Sequence, residues 1–238
     1  LVMPSSVTSF GSIRTDASKK LIGTFGWQYE ARGNRSASTY QIQPGISLRP
    51  FSALKVGVTA DYSQNRDELQ YVAAVDYLAD RKYILGTIDQ KTLGLTFRVD
   101  VNISPEFSIQ YYGSPFVSKG SYSVFRYITD PVANSYSGRY LNYEHFSKTG
   151  TLLLLDQDDD YKPDITIGNP DFNFYQFRSN LVAKWEYRLG SFIYFVWSTD
   201  RTGSLGSADG SLGSSLSHLG STFPNNIFLI KLNYWFSL

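Results

Sequence analysis

Five aspartates crowd one short stretch of the chain. Asp156, Asp158 and Asp160 alternate, with Asp159 between them and Asp164 close behind. Carboxylates at alternate positions of a turn can converge on one hard cation, and calcium takes several such oxygens at once. Asp156, Asp158, Asp160 and Asp164 are therefore the metal candidates, and Ca2+ is the cofactor they would suit. The pattern departs from an EF-hand loop, which needs Gly at its sixth position and Glu at its twelfth. Counted from Asp156, those places hold Tyr161 and Ile167. A solvated acidic loop tip is the plainer expectation.

No other constellation has catalytic spacing. His145 and His218 fall in separate expected loops, where lone histidines are ordinary surface residues, and neither is assigned a role. Serine is abundant, yet no Gly-x-Ser-x-Gly elbow occurs and no base stands beside a serine. The Gly- and Ser-rich stretch from Gly203 to Ser221 has no strand before it and no Lys-Ser/Thr after it, so it reads as a loop and not a phosphate cradle. With no Cys, thiolate chemistry and a Cys-based zinc site are excluded. The expectation is a protein that is not an enzyme, with no catalytic residue and no bound cofactor beyond the calcium candidate.

A second set of charges sits on extended segments: Lys55, Asp61, Arg98, Asp100, Arg178, Lys184 and Glu186. The segments that carry them alternate with period two, as a strand with two unlike faces does. From Thr92 to Ile103, Leu93, Leu95, Phe97, Val99 and Val101 oppose Thr92, Gly94, Thr96, Arg98 and Asp100. A soluble strand runs about five or six residues, whereas a membrane-crossing one needs about 9–11. Similar alternation covers Leu21 to Arg32, Thr39 to Arg49, Leu54 to Ser63, Phe107 to Ser114 and Tyr175 to Arg188. Ser191 to Thr199 is apolar on both faces. A last strand is expected from Phe228 to the end, with Phe236 and Leu238 on its apolar face and Ser237 on the other.

These segments predict about eight strands of an antiparallel transmembrane β-barrel. If eight strands closed a small barrel, the seven charges would have to pair inside it, since buried charges need partners. In a water-filled channel they would instead form a selectivity ring. Trp27 and Trp185 belong to the apolar face, where anchoring at a lipid interface explains them.

Composition agrees. Eighteen Tyr, sixteen Phe and four Trp make 16% of 238 residues, while mean hydropathy stays slightly negative. Aromatic girdles outside and a polar interior would average to that value. The net charge of +1 gives no field for nucleic acid. No run approaches the ~20 apolar residues of a transmembrane helix. Leu1-Val2-Met3-Pro4 lacks the features of a signal peptide, so a fragment of a longer exported protein is expected. Residues 1–18 read as a lead-in from a preceding strand or turn. Residues 19–238 read as barrel strands, with short turns at Arg49–Ala53, Asn102–Glu106 and Arg188–Ser191. Long extracellular loops are expected over about 65–82, 118–172 and 200–226.

Several segments act as a set: Gln90 to Arg98 followed by Ser104 to Tyr112, Asn169 to Phe174, Trp185 to Arg188, and Lys231 to Phe236. Over most of residues 15 to 238 they resemble the C-terminal outer-membrane β-barrel domain of unknown function from Bacteroidota proteins. In that family a module similar to family-nine carbohydrate-binding domains precedes the barrel. The resemblance implies an integral protein of a Gram-negative outer membrane, here the C-terminal part of a larger barrel. It implies carbohydrate as a partner only through that preceding module, and it transfers no activity.

The expected function is a membrane anchor or component of an outer-membrane complex, without chemistry of its own, in contact with lipid and lipopolysaccharide. A porin-like channel for small polar solutes such as saccharides is the alternative. A soluble β-sandwich binding module is the competing fold.

Overall fold

The computed structural model describes residues 1–78, 80–206, 208 and 210–236. Its backbone is one antiparallel sheet, in which each long strand pairs with the next long strand of the chain. The order begins β1 (Ser6–Arg14), β2 (Leu21–Arg32), β3 (Ala37–Phe51), β4 (Leu54–Tyr77), β5 (Asp80–Asn102) and β6 (Phe107–Ile128). A short β7 (Tyr140–Asn142) adds to the far end of β6. A separate three-stranded meander follows: β8 (Phe146–Thr149), β9 (Leu152–Leu155) and β10 (Ile165–Gly168). The main sheet resumes with β11 (Phe172–Arg188), which pairs with β6, then β12 (Ser191–Leu205) and β13 (Asn225–Asn233). A helix, α1 (Leu212–Ser221), joins the last two, its start held by a reciprocal capping box between Ser211 and Ser214.

The fold is all-β, as expected, but the sheet does not close. Among the described residues β1 and β13 are its two edges, and no ladder joins them. β13 ends at Asn233 and not at the chain end, because Asn233 pairs with Phe192, near the first residue of β12, and the ladder has no partner further on. Ser237 and Leu238, expected in that strand, lie outside the described residues.

Alternation located the strands well and their ends poorly. The three short turns fall where expected, all at one end of the sheet. At the other end, about 65–82 is not a loop: β4 continues to Tyr77 and β5 starts at Asp80. Asn65, Arg66, Asp67 and Glu68 break the apolar pattern, yet β3 pairs with β4 as far as Asp67 and β5 pairs with it on to Tyr77. At about 3.3 Å per residue, its 24- and 23-residue strands run roughly 75–80 Å, well beyond the ~30 Å of a bilayer core. Likewise β6 runs on to Ile128 inside the expected 118–172 loop, and the expected 200–226 loop holds the end of β12, α1 and the start of β13. The lead-in 1–18 contains β1, paired with β2 over its whole length.

Register assigns the faces. Cross-strand partners share a side, so Leu93, Val117 and Tyr175 lie on the apolar face. Arg98, Tyr112 and Asn180 lie on the polar one. The same bookkeeping resolves Ser191 to Thr199: Ile193, Phe195 and Trp197 join the apolar side through Trp185, Ala183 and Leu181. The distinction blurs toward the β13 edge and at β1, with Phe10 and Leu229 on the polar side together with Val182, Phe192 and Val196 of β11 and β12.

The well-buried clusters sit toward the long-loop end. The β8–β10 meander packs Leu153, Leu155 and Ile165 on Ile84 and Phe125. Ile84 lies on the same side of β5 as Arg98, so the meander covers the far end of the polar face. On the opposite face, α1 packs Leu219 against Val117 and Tyr175.

Candidate functional site

The polar face is where the sheet gathers chemistry-bearing side chains. Along β4 the residues Lys55, Gly57 and Thr59 face it; beside them on β5 stand Asp100, Arg98 and Thr96. With Arg14 and Thr24 they line a hollow of about 360 Å³ near the short turns. Three of the seven expected interior charges, Lys55, Arg98 and Asp100, therefore meet in one place.

The other four are dispersed. Asp61 accepts hydrogen bonds from the side-chain amides of Gln41 at 2.8 Å and Gln43 at 2.5 Å. Arg178 donates to Asp200 at 2.9 Å, and Thr202 donates its hydroxyl to the same carboxylate at 2.6 Å. Lys184 lies 4.3 Å from the centre of the Phe192 ring. Glu186 accepts from the backbone N–H of Gly190, where the chain turns into β12. The expected mutual pairing does not occur: among the described residues none of the seven forms an ion pair with another of them. The reason is solvent. Lys55, Arg98 and Arg178 are exposed and the other four are half-buried, so water and local dipoles take the place of ionic partners.

The acidic loop is compact. Carboxylate oxygens of Asp156, Asp158 and Asp164 all come within 4.8 Å of one another, with Asp156 buried. Asp160 does not join them; it pairs with Lys162 at 3.1 Å. Asp156 accepts from the backbone N–H groups of Asp159 and Tyr161, Asp158 from that of Asp160, and Asp164 from that of Gln157. These bonds build the turn from within, giving the cluster a structural role. Burial, and then the Asp164 carboxylate, push the Tyr77 phenol above its ordinary range.

The two histidines remain apart. His145 lies against Tyr161, ring centres 4.2 Å apart, and His218 of α1 stacks on Tyr175. On the apolar face Trp27 stacks near Phe25, and Trp185 and Trp197 are partly exposed. Trp235 follows β13, where its backbone N–H donates to Ser191.

Arg14, Arg49 and Asp200 were not anticipated. Arg14 belongs to β1, whose Val7 and Ile13 against Thr8, Ser12 and Arg14 were the available signal. Arg49 closes an anticipated strand, but nothing marked it as lining a hollow. Asp200 lay one residue past the end of the expected strand.

The chain belongs to the family described as Domain of unknown function (DUF5916), whose match spans residues 1–237. No curated protein and no solved structure matches it.

Proposed function

We propose that this sheet is part of the wall of a β-barrel in a Gram-negative, Bacteroidota-type outer membrane. It serves there as an anchor or as a component of an outer-membrane complex, with no chemistry of its own. One observation carries the reading: the long paired strands present an exposed apolar, aromatic face on one side and a polar, charged face on the other. Ile46, Val58, Trp185, Phe195 and Phe228, on five strands, all expose more than a third of their surface on that one side. In water such a surface is unfavourable at about 25 cal/mol per Å²; against lipid chains and lipopolysaccharide it is not.

A β-sandwich needs a second sheet over the apolar face. The meander that could supply one packs on the polar face instead, which weighs against that alternative. Unpaired edges do not persist in hydrocarbon, so β1 and β13 require further strands to complete a larger barrel. A carbohydrate-binding module similar to family nine would precede it.

Transport of small polar solutes is the second reading, favoured by the polar-lined hollow around Lys55, Arg98 and Asp100. The test is reconstitution of the whole polypeptide into vesicles with brominated acyl chains. Quenching of tryptophan fluorescence, together with heat-modifiable gel migration, is the expected outcome; a water-soluble protein with unquenched tryptophans overturns the membrane reading. Conductance in a planar bilayer then separates channel from anchor.

A further inference from the structure

Cations collect at the short-turn end of the polar face. Arg14 on β1, Lys55 on β4 and Arg98 on β5 line the 360 Å³ hollow. A second hollow of about 220 Å³ shares Arg14 and Lys55 and adds Arg49 with Lys19 and Lys20 from the β1–β2 turn. Against these six, Asp100 is the one carboxylate on either lining. Among the described residues none of the six makes an ion pair, although Lys55 and Asp100 are direct cross-strand partners.

Like charges brought together repel, and a recess lined by one sign concentrates counter-ions of the other. Three of the six are arginines, whose planar forks suit the oxygens of phosphate groups. The larger hollow is also within the size range of small-molecule sites.

We propose that these adjoining hollows bind a small, multiply charged oxyanion: a soluble phosphate-bearing molecule, taken from the aqueous side of the sheet. The site rests on the polar face alone and stands whether or not the opposite face meets lipid.

The test is calorimetric titration of inorganic pyrophosphate into the purified full chain in detergent at low ionic strength, where screening is weak. Saturable binding is expected, weakened about tenfold in a Lys55→Gln, Arg98→Gln variant that has lost two charge-assisted contacts. A Lys91→Gln, Lys119→Gln variant removes two cross-strand cations from the opposite face and should bind as the parent does. Circular dichroism checks that each variant keeps its β-structure, and Arg14→Gln with Arg49→Gln substitutes if the first pair misfolds. Absence of binding, equal affinity in the hollow variants, or equal weakening in the Lys91/Lys119 variant overturns the proposal. Vesicle insertion is a separate readout, so failure here leaves the membrane reading distinguishable.

Discussion

Lys148 of the meander reaches both carboxylate oxygens of Asp171, at 2.7 and 2.6 Å, just before β11 begins. The same ammonium donates to the carbonyl of Tyr122 on β6, and Asp171 accepts the backbone N–H of Tyr122 at 2.7 Å. One ion pair thus ties the meander to two strands of the main sheet. Asp171 belongs to the Asn169-Pro170-Asp171-Phe172 segment that stood out in the sequence.

Breaking this clamp should loosen the meander while sparing the rest of the sheet. The Asp171 side chain is only 12% exposed and the Lys148 one 24%. Asp171→Ala leaves the Lys148 ammonium with only the Tyr122 carbonyl and the Tyr122 N–H without its acceptor, a local loss of about 2–3 kcal/mol. Hydrogen exchange should show faster opening across residues 146–168, with the β2–β3 ladder unchanged. Equal loss of protection in both regions would show that the clamp supports the whole fold.

The two faces should respond oppositely to charge. Phe97 and Thr96 are neighbours on β5 that face opposite sides. Phe97→Arg places a cation on the apolar face, at about 2–4 kcal/mol if that position lies near the bilayer midplane. Thr96→Arg faces the hollow and should insert nearly as well as the parent. The fraction of each variant that migrates as folded protein after vesicle insertion reads the difference.

Gly203 is required by Tyr175. The two are cross-strand partners, and a Cβ on Gly203 would come 2.5 Å from the Tyr175 ring. That ring also packs against Leu219 and stacks on His218, so Gly203→Ala should displace α1 as well as the ring. Overpacking of this kind costs about 1–3 kcal/mol. Greater protease sensitivity within residues 210–222 is the expected signature.

Alkali should act at the turn between β6 and β7. Burial pushes the Tyr136 phenol up to about 12 from its ordinary 10, with Tyr140 adding to the shift. Because the folded value is the higher one, the stabilisation is complete below pH 10. It is lost as pH rises through about 12, since ionisation favours the open turn. Burial also pushes the Tyr143 phenol up, so tyrosinate absorbance should show more than one late-titrating group, with one fewer in Tyr136→Phe.

The sequence by itself determined which side of β2 to β6 and of β11 is apolar, because side-chain direction alternates residue by residue and needs no distant contact, whereas β12 needed its register. Leu93 through Val101 sit on the side their spacing assigned, and the turns around Ser52, Pro105 and Gly190 fall where punctuation placed them. The strand ends were decided elsewhere. Residues 65–77 extend because β5 offers partners out to Tyr77 and β3 as far as Asp67, and β13 stops at Asn233 near where β12 begins, which are properties of the ladder and not of the segment. The partner of Arg178 is Asp200, twenty-two positions away, and Lys148 finds Asp171 across the intervening meander. Arg14, Lys55 and Arg98 border one hollow because register aligns three strands at the same height. Alternation is a local property of the backbone; convergence depends on how strands align, and only the tertiary structure decides that.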